Sequence, residues 1–199
     1  DYGDSYVEIN LTAQHLFLYV DGKLVTESDF VSGDLSIEGR YTPAGAYSIT
    51  YMDKDAVLRG EDYETPVAYW MPFNGDIGMH DATWRRSFGA SIYKRDGSHG
   101  CINLPLSAVK TIFEHVDAGF PVLCYHLEGT QSEEGIAQDE AYKVIDAINA
   151  IGNKITLKSE KKIEKAREKY DALSDLAKKY VTNYSKLKNA EKKLKKLKK

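Results

Sequence analysis

Apolar and polar positions alternate over much of the first 130 residues. Val7, Ile9 and Leu11 are separated by polar neighbours, the pattern of a strand with one buried face. Leu16 to Val20 follow, then Asp21-Gly22, then Val25. Asp-Gly between apolar runs predicts a hairpin, because Gly accepts positive φ. Tyr41-Thr42-Pro43-Ala44-Gly45 predicts a turn, and Ala46 to Tyr51 a strand after it. Val67 to Phe73 and Val122 to Tyr125 are further strand segments, rich in aromatic and β-branched residues. One main helix is predicted here. Pro105 suits its first position, Leu106, Val109, Phe113 and Val116 share a face, and Gly119 closes it. Residues 74–104 contain five Gly and little periodicity, and read as a long functional loop.

Residues 128–138 are polar and read as a linker between a domain over 1–127 and a helical module over 139–199. In that module Val144, Ile145, Ile148 and Ile151 share a face that Gly152 stops. Ile163, Ala166, Tyr170 and Leu173 are spaced 3, 4 and 3 apart, as are Leu187, Ala190, Leu194 and Leu197. With Ser159 and Asn183 as N-caps, three helices are predicted.

Charge supports the division. Residues 1–132 hold 9 Lys and Arg against 19 Asp and Glu, while residues 133–199 hold 18 against 11. Both Trp and ten of the 14 Tyr precede residue 133. The acidic first part argues against nucleic acid as a partner, which requires a basic footprint. The chain of 199 residues is long enough for a core without cross-links, and two Cys are too few for a disulfide framework. The chain begins at Asp1 with no Met, as expected of a fragment.

Chemistry concentrates at Ser98-His99-Gly100-Cys101-Ile102-Asn103, with His80 upstream in Gly78-Met79-His80-Asp81. A thiol attacks as thiolate, and a nearby imidazole can take its proton. Gly100 leaves room for a substrate carbonyl and lets local amides face a developing oxyanion. The residues themselves therefore point to cysteine-dependent acyl transfer.

These residues resemble the signature of the L,D-transpeptidase (YkuD) catalytic domain family: a His, a loop, then Ser/Thr-His-Gly-Cys-hydrophobic-Asn/Arg. Asp21-Gly22-Lys23, Thr42-Pro43-Ala44-Gly45 and Gly75 to His80 extend the likeness over roughly residues 5–126. The resemblance implies a β-rich, α+β sandwich-like catalytic domain with one main helix, followed by a small all-α bundle. It implies action on peptidoglycan stem peptides outside the cytoplasm, at the cell wall or the outer face of the cytoplasmic membrane, by a secreted or membrane-anchored bacterial protein. Cys101 is the implied nucleophile and His80 the base, with His99 supporting them. Ser98, Gly100 and Asn103 shape the backbone, and amides near Gly100 and Cys101 serve the oxyanion. Carbapenem β-lactams are implied inhibitors, and no cofactor is implied. Asp81 follows His80 where many members have Gly or Ser, so either Asp81 or a backbone carbonyl orients the imidazole.

Other readings compete residue by residue. Trp70, Met71, Phe73, Trp84 and Tyr93 either wall a groove around Cys101 or form core. Arg85 and Arg86 either meet a substrate carboxylate or are solvated. His80, His99 and Cys101 with Asp81 or Asp96 are a zinc alternative, without any of the usual ligand spacings. Cys124 reads as a buried strand residue. The Lys-rich end, 192–199, either solvates a helix face or attracts anionic wall polymers. The module resembles helical modules of Gram-positive surface proteins. The functional expectation is a peptidoglycan L,D-transpeptidase forming 3→3 cross-links. The alternatives are an L,D-carboxypeptidase using the same thioacyl-enzyme and a catalytically idle wall-binding protein.

Overall fold

The computed structural model describes residues 3–60 and 64–198. The chain divides into two compact units, Asp1–Ser132 and Glu133–Lys199. No helix among the described residues is long and apolar enough to cross a membrane.

The first unit packs two sheets against each other. One holds β1 (Tyr6–Asn10), β2 (His15–Val20), β3 (Lys23–Asp29), β4 (Gly45–Ser48) and β9 (Pro121–Tyr125), in the order β3-β2-β1-β9-β4. The other holds β5 (Asp53–Arg59), β6 (Glu64–Asn74), β7 (Ile77–Asp81) and β8 (Ile102–Leu104) in sequence order. The alternation at Val7 and Ile9 turns both into the core, where Leu16, Leu18, Met71, Met79, Ile102 and Leu104 meet them. Asp21 and Gly22 both take positive φ at the β2–β3 hairpin, which is why Asp-Gly stands there.

The helix α1 is shorter than its apolar period suggests. It spans Leu106–Phe113, with Pro105 as its N-cap rather than its first helical residue. Val109 and Ile112 enter the core and Leu106 stays exposed. Val116 is buried beyond the helix end, and Gly119 donates its N–H to the Ile49 carbonyl (2.7 Å), turning the chain into β9. The stretch 74–104 is not wholly irregular: β7 and β8 lie within or at its edge, joined by a coil that includes a single 3₁₀ turn, Ile92–Lys94.

Among its described residues the second unit has four α-helices, not three: α2 (Glu133–Asn149), α3 (Glu160–Asp171), α4 (Asp175–Lys179) and α5 (Tyr184–Leu197). α2 begins inside the segment expected to be a linker. Ala137 and Ala141 continue the buried face of Val144 and Ile148 backwards, and Glu133 and Glu134 complement the helix N-terminus. The short α4 carries one buried residue, Ala177, too little to show a period; Ser174 caps it by accepting from the Ala177 N–H. Ser159 and Asn183 occupy N-cap positions without a side-chain bond to the helix. Leu187, Ala190 and Leu194 join the core with Ile148 and Ile163, whereas Leu197 is exposed. Arg167 ties the unit together: it meets both oxygens of Glu191 (2.7 and 2.8 Å) and lies over the stacked rings of Tyr170 and Tyr184.

Candidate active site

The site is built on the parallel pair β7–β8. Their register aligns Met79 with Ile102, His80 with Asn103 and Asp81 with Leu104. Residues two apart on a strand share a face, so Cys101 arrives on the side that His80 and Asn103 occupy. Val31 exchanges both backbone hydrogen bonds with Asn103, and Ser98 is held by Ser32 and Asp34 through backbone bonds of 2.9 and 3.0 Å. Asp34 is buried and accepts from the Gly97 N–H (3.0 Å) and from the Ser36 amide and hydroxyl. Those hydrogen bonds outweigh burial and hold its carboxyl below the usual range.

The turn that presents Cys101 is closed locally. Ser98 Oγ–H donates to the Cys101 carbonyl (2.6 Å) and Ser98 Oγ accepts from the Gly100 N–H (3.0 Å). Gly100 has φ +123°, where a side chain is strained, and a Cβ there would stand 3.2 Å from Ile77. Its carbonyl accepts from Thr42 Oγ1 (2.6 Å), which itself accepts from the Gly33 N–H. Thr42 thus supports the turn from below. In sequence it stands out only as part of the Thr42-Pro43-Ala44-Gly45 segment, with nothing to mark a contact with Gly100. Because the Gly100 amide is taken by Ser98, it is not an oxyanion donor as expected, and the Cys101 amide is left as the candidate.

His80 is buried, 4% exposed, at the end of β7. Its Nδ1 lies 2.8 Å from the Asp81 carbonyl oxygen. A carbonyl can only accept, so Nδ1 carries the proton and Nε2 keeps its lone pair. The orienting group is therefore the backbone of Asp81. The Asp81 carboxylate points elsewhere, accepting from the amides of Ala68 (2.8 Å) and Tyr69 (3.0 Å). Burial holds the imidazole below its usual pKa, opposed by the Asp81 carbonyl. Burial pushes the Cys101 thiol up to about 11, eased by the Gly78 amide. Its S–H donates to the Asp76 carbonyl at 3.5 Å. The resting pair is thus a thiol and a neutral imidazole.

Cys101, His80, His99, Ser98 and Asn103 wall one cleft of about 230 Å³, together with Trp84, Arg85, Gly97, Leu58 and Thr65. Leu58, Thr65 and Gly97 carry no chemistry that marks them in sequence. His99 is exposed at the rim. Trp84, 51% exposed, and buried Trp70 each place a ring 5.9 Å from that of His80. Trp70 stands behind the imidazole, its indole N–H donating to Tyr51 (3.1 Å). Met71 and Phe73 are core residues between the sheets rather than groove walls, because their strand positions turn them inward. Both Cys are unbridged, and burial pushes Cys124 up to about 12. Among the described residues no three His, Cys, Asp or Glu side chains gather to hold a metal ion. The zinc alternative thus lacks a ligand set, since Asp81 is spent on backbone amides.

Two packed sheets with a cysteine and a backbone-oriented histidine on one cleft define an acyl-transfer type of site. The family model of the L,D-transpeptidase catalytic domain (YkuD) matches residues 4–124, and the chain belongs to that family. Among solved structures, a mutant Enterococcus faecium L,D-transpeptidase is 41% identical over 61% of this chain and 50% of that chain, with TM-score 0.58. The chain thus spans about half the length of that relative. The E. faecium catalytic domain acylated by ertapenem is 42% identical over 62% of this chain and 98% of that chain, with TM-score 0.55. A Mycobacterium smegmatis L,D-transpeptidase, 21% identical over 61% and 58% with TM-score 0.53, shares the fold. Comparison with curated protein sequences gives no match.

Proposed function

We propose that the first unit is the catalytic domain of a peptidoglycan L,D-transpeptidase acting outside the cytoplasm. The observation that carries this is the Cys101–His80 cleft with Nδ1 fixed on the Asp81 carbonyl, which leaves Nε2 as the proton acceptor. Cys101 Sγ attacks the carbonyl carbon of the third residue of a donor tetrapeptide stem while its proton passes to His80 Nε2. The Cys101 amide donates to the oxyanion. His80 returns the proton to the departing amine of D-Ala as the C–N bond breaks, leaving a thioester. A side-chain amine of a second stem then attacks and loses its proton to His80. The thiolate departs and is reprotonated, and a 3→3 cross-link is formed. Leu58 and the Trp84 ring supply apolar wall that limits water at the thioester.

The E. faecium domain acylated by ertapenem supports the same thiol as a carbapenem target here. Mass spectrometry of the intact chain after carbapenem exposure is the test. The expected result is one adduct, absent from Cys101→Ala. No adduct on the native chain, or one that survives the substitution, overturns the proposal. Adding a donor tetrapeptide with and without an acceptor amine separates cross-linking from hydrolysis by product mass, and no release of D-Ala favours a wall-binding role. The second unit, rich in Lys, is proposed to meet anionic wall polymers, a binding that salt must weaken steeply.

A further inference from the structure

Arg85 follows β7 in the turn closed by its own N–H on the Ala82 carbonyl (3.0 Å). Its neighbour Arg86 is exposed, but the Arg85 side chain is only 9% exposed and lies on the wall that holds Cys101, His80 and Asn103. Nη1 donates to the Asp96 carbonyl (2.9 Å) and reaches the Asp96 carboxylate at 3.3 Å. That carboxylate is 83% exposed, so water shares it and it neutralises little of the guanidinium. Nε is buried without any partner. A buried cationic N–H left unpaired is costly, and the cost is relieved if a ligand supplies an acceptor. In the same cleft Asn103 Oδ1 is likewise buried without a partner, an acceptor awaiting an N–H. Among the described lining residues Arg85 alone has a fixed positive charge, in a unit dominated by Asp and Glu.

A peptide terminus offers both complements at once, a carboxylate and, one residue back, an amide N–H. We infer that Arg85 is a specificity-determining residue that binds the free C-terminal carboxylate of the single residue expelled from the donor, with Asn103 Oδ1 accepting from the adjoining amide. This rests on the acyl-transfer reading of the cleft and refines it: the site measures one residue beyond the scissile bond. Donors extended by a further residue place a neutral amide opposite the guanidinium and lose the charged contact. The effect of the Arg85 charge on His80, whose imidazole it helps to keep neutral, fits a cation close to the reacting atoms.

The experiment uses the full chain and two donors, L-Ala-D-isoglutaminyl-L-Lys-D-Ala and the same peptide ending in D-alaninamide. In the first the D-Ala carboxylate is the sole carboxylate. The wild type is expected to release D-Ala with a kcat/KM about 10- to 100-fold above that for D-alaninamide. Arg85→Gln is expected to lose that preference by slowing the acid donor far more than the amide donor; Arg85→Lys restores part of it. An equal loss on both donors identifies Arg85 as a structural tie between its turn and Asp96, and overturns the inference. Equal turnover of both donors by the wild type overturns it while leaving the acyl-transfer reading intact, and decides the matter even if the variants do not fold. Release of neither product overturns the underlying reading and the inference with it.

Discussion

Replacing His80 by Ala removes the group that receives the Cys101 proton. With the thiol held at about 11, the thiolate fraction at pH 7 is on the order of 10⁻⁴. A more basic thiolate is also a better nucleophile, by a Brønsted slope of about 0.4–0.5, which returns part of that loss. Acylation at neutral pH is therefore expected to fall by about 10²- to 10⁴-fold, the range of a lost general base. The pH profile carries the stronger signature. In the wild type, burial lowers the His80 pKa, so the imidazole stays neutral and basic through the usual histidine range. The rate declines only as pH falls through that lowered value, and is flat above it. In His80→Ala, the rate depends on the thiolate itself and climbs about tenfold per pH unit into the alkaline range. Single-turnover acylation by a carbapenem, followed by intact mass from pH 5 to 10, measures both curves. A variant that keeps the flat wild-type profile, or a wild type that climbs tenfold per unit from pH 7 to 9, refutes the role given to His80.

Two further substitutions test the turn beneath Cys101. Gly100→Ala forces a side chain into φ +123° and against Ile77, at a cost of about 1–3 kcal/mol; a lowered melting temperature and slowed Cys101 acylation are expected, and no change in either refutes the strain. Thr42→Val keeps the shape but leaves the Gly100 carbonyl and the Gly33 amide without their hydroxyl partner. It should cost about 1–3 kcal/mol for each orphaned group in chemical denaturation, and a loss below about 0.5 kcal/mol contradicts the assignment.

The strands legible in sequence are those with one face on the core. Val7 and Ile9 alternate with polar residues because the far side of β1 is not wholly buried. β7 and β8 are hard to see in sequence because they are short, five and three residues, so the alternation in Ile77-Gly78-Met79-His80 or Ile102-Asn103-Leu104 is too brief to mark a strand. The start of α2 is hidden in sequence because its first turns bury Ala rather than large apolar residues. Arg85 and Arg86 are adjacent and chemically identical in sequence; only the turn after β7 sends one into the cleft and the other to solvent.

The order Ser-His-Gly-Cys, with a His eighteen residues before Ser98, fixes by itself which atoms can react, since nucleophile, base and the glycine that lets the chain turn are covalent properties. Their use depends on long-range contacts. That the Asp81 backbone and not its carboxylate orients His80, that the Gly100 amide is spent on Ser98, and that Met71 lies in the core were decided by strand register and burial. A buried hydrogen-bonding group must find whatever partner the tertiary fold brings within reach, and those partners lie on segments whose spacing along the chain carries no record of their meeting.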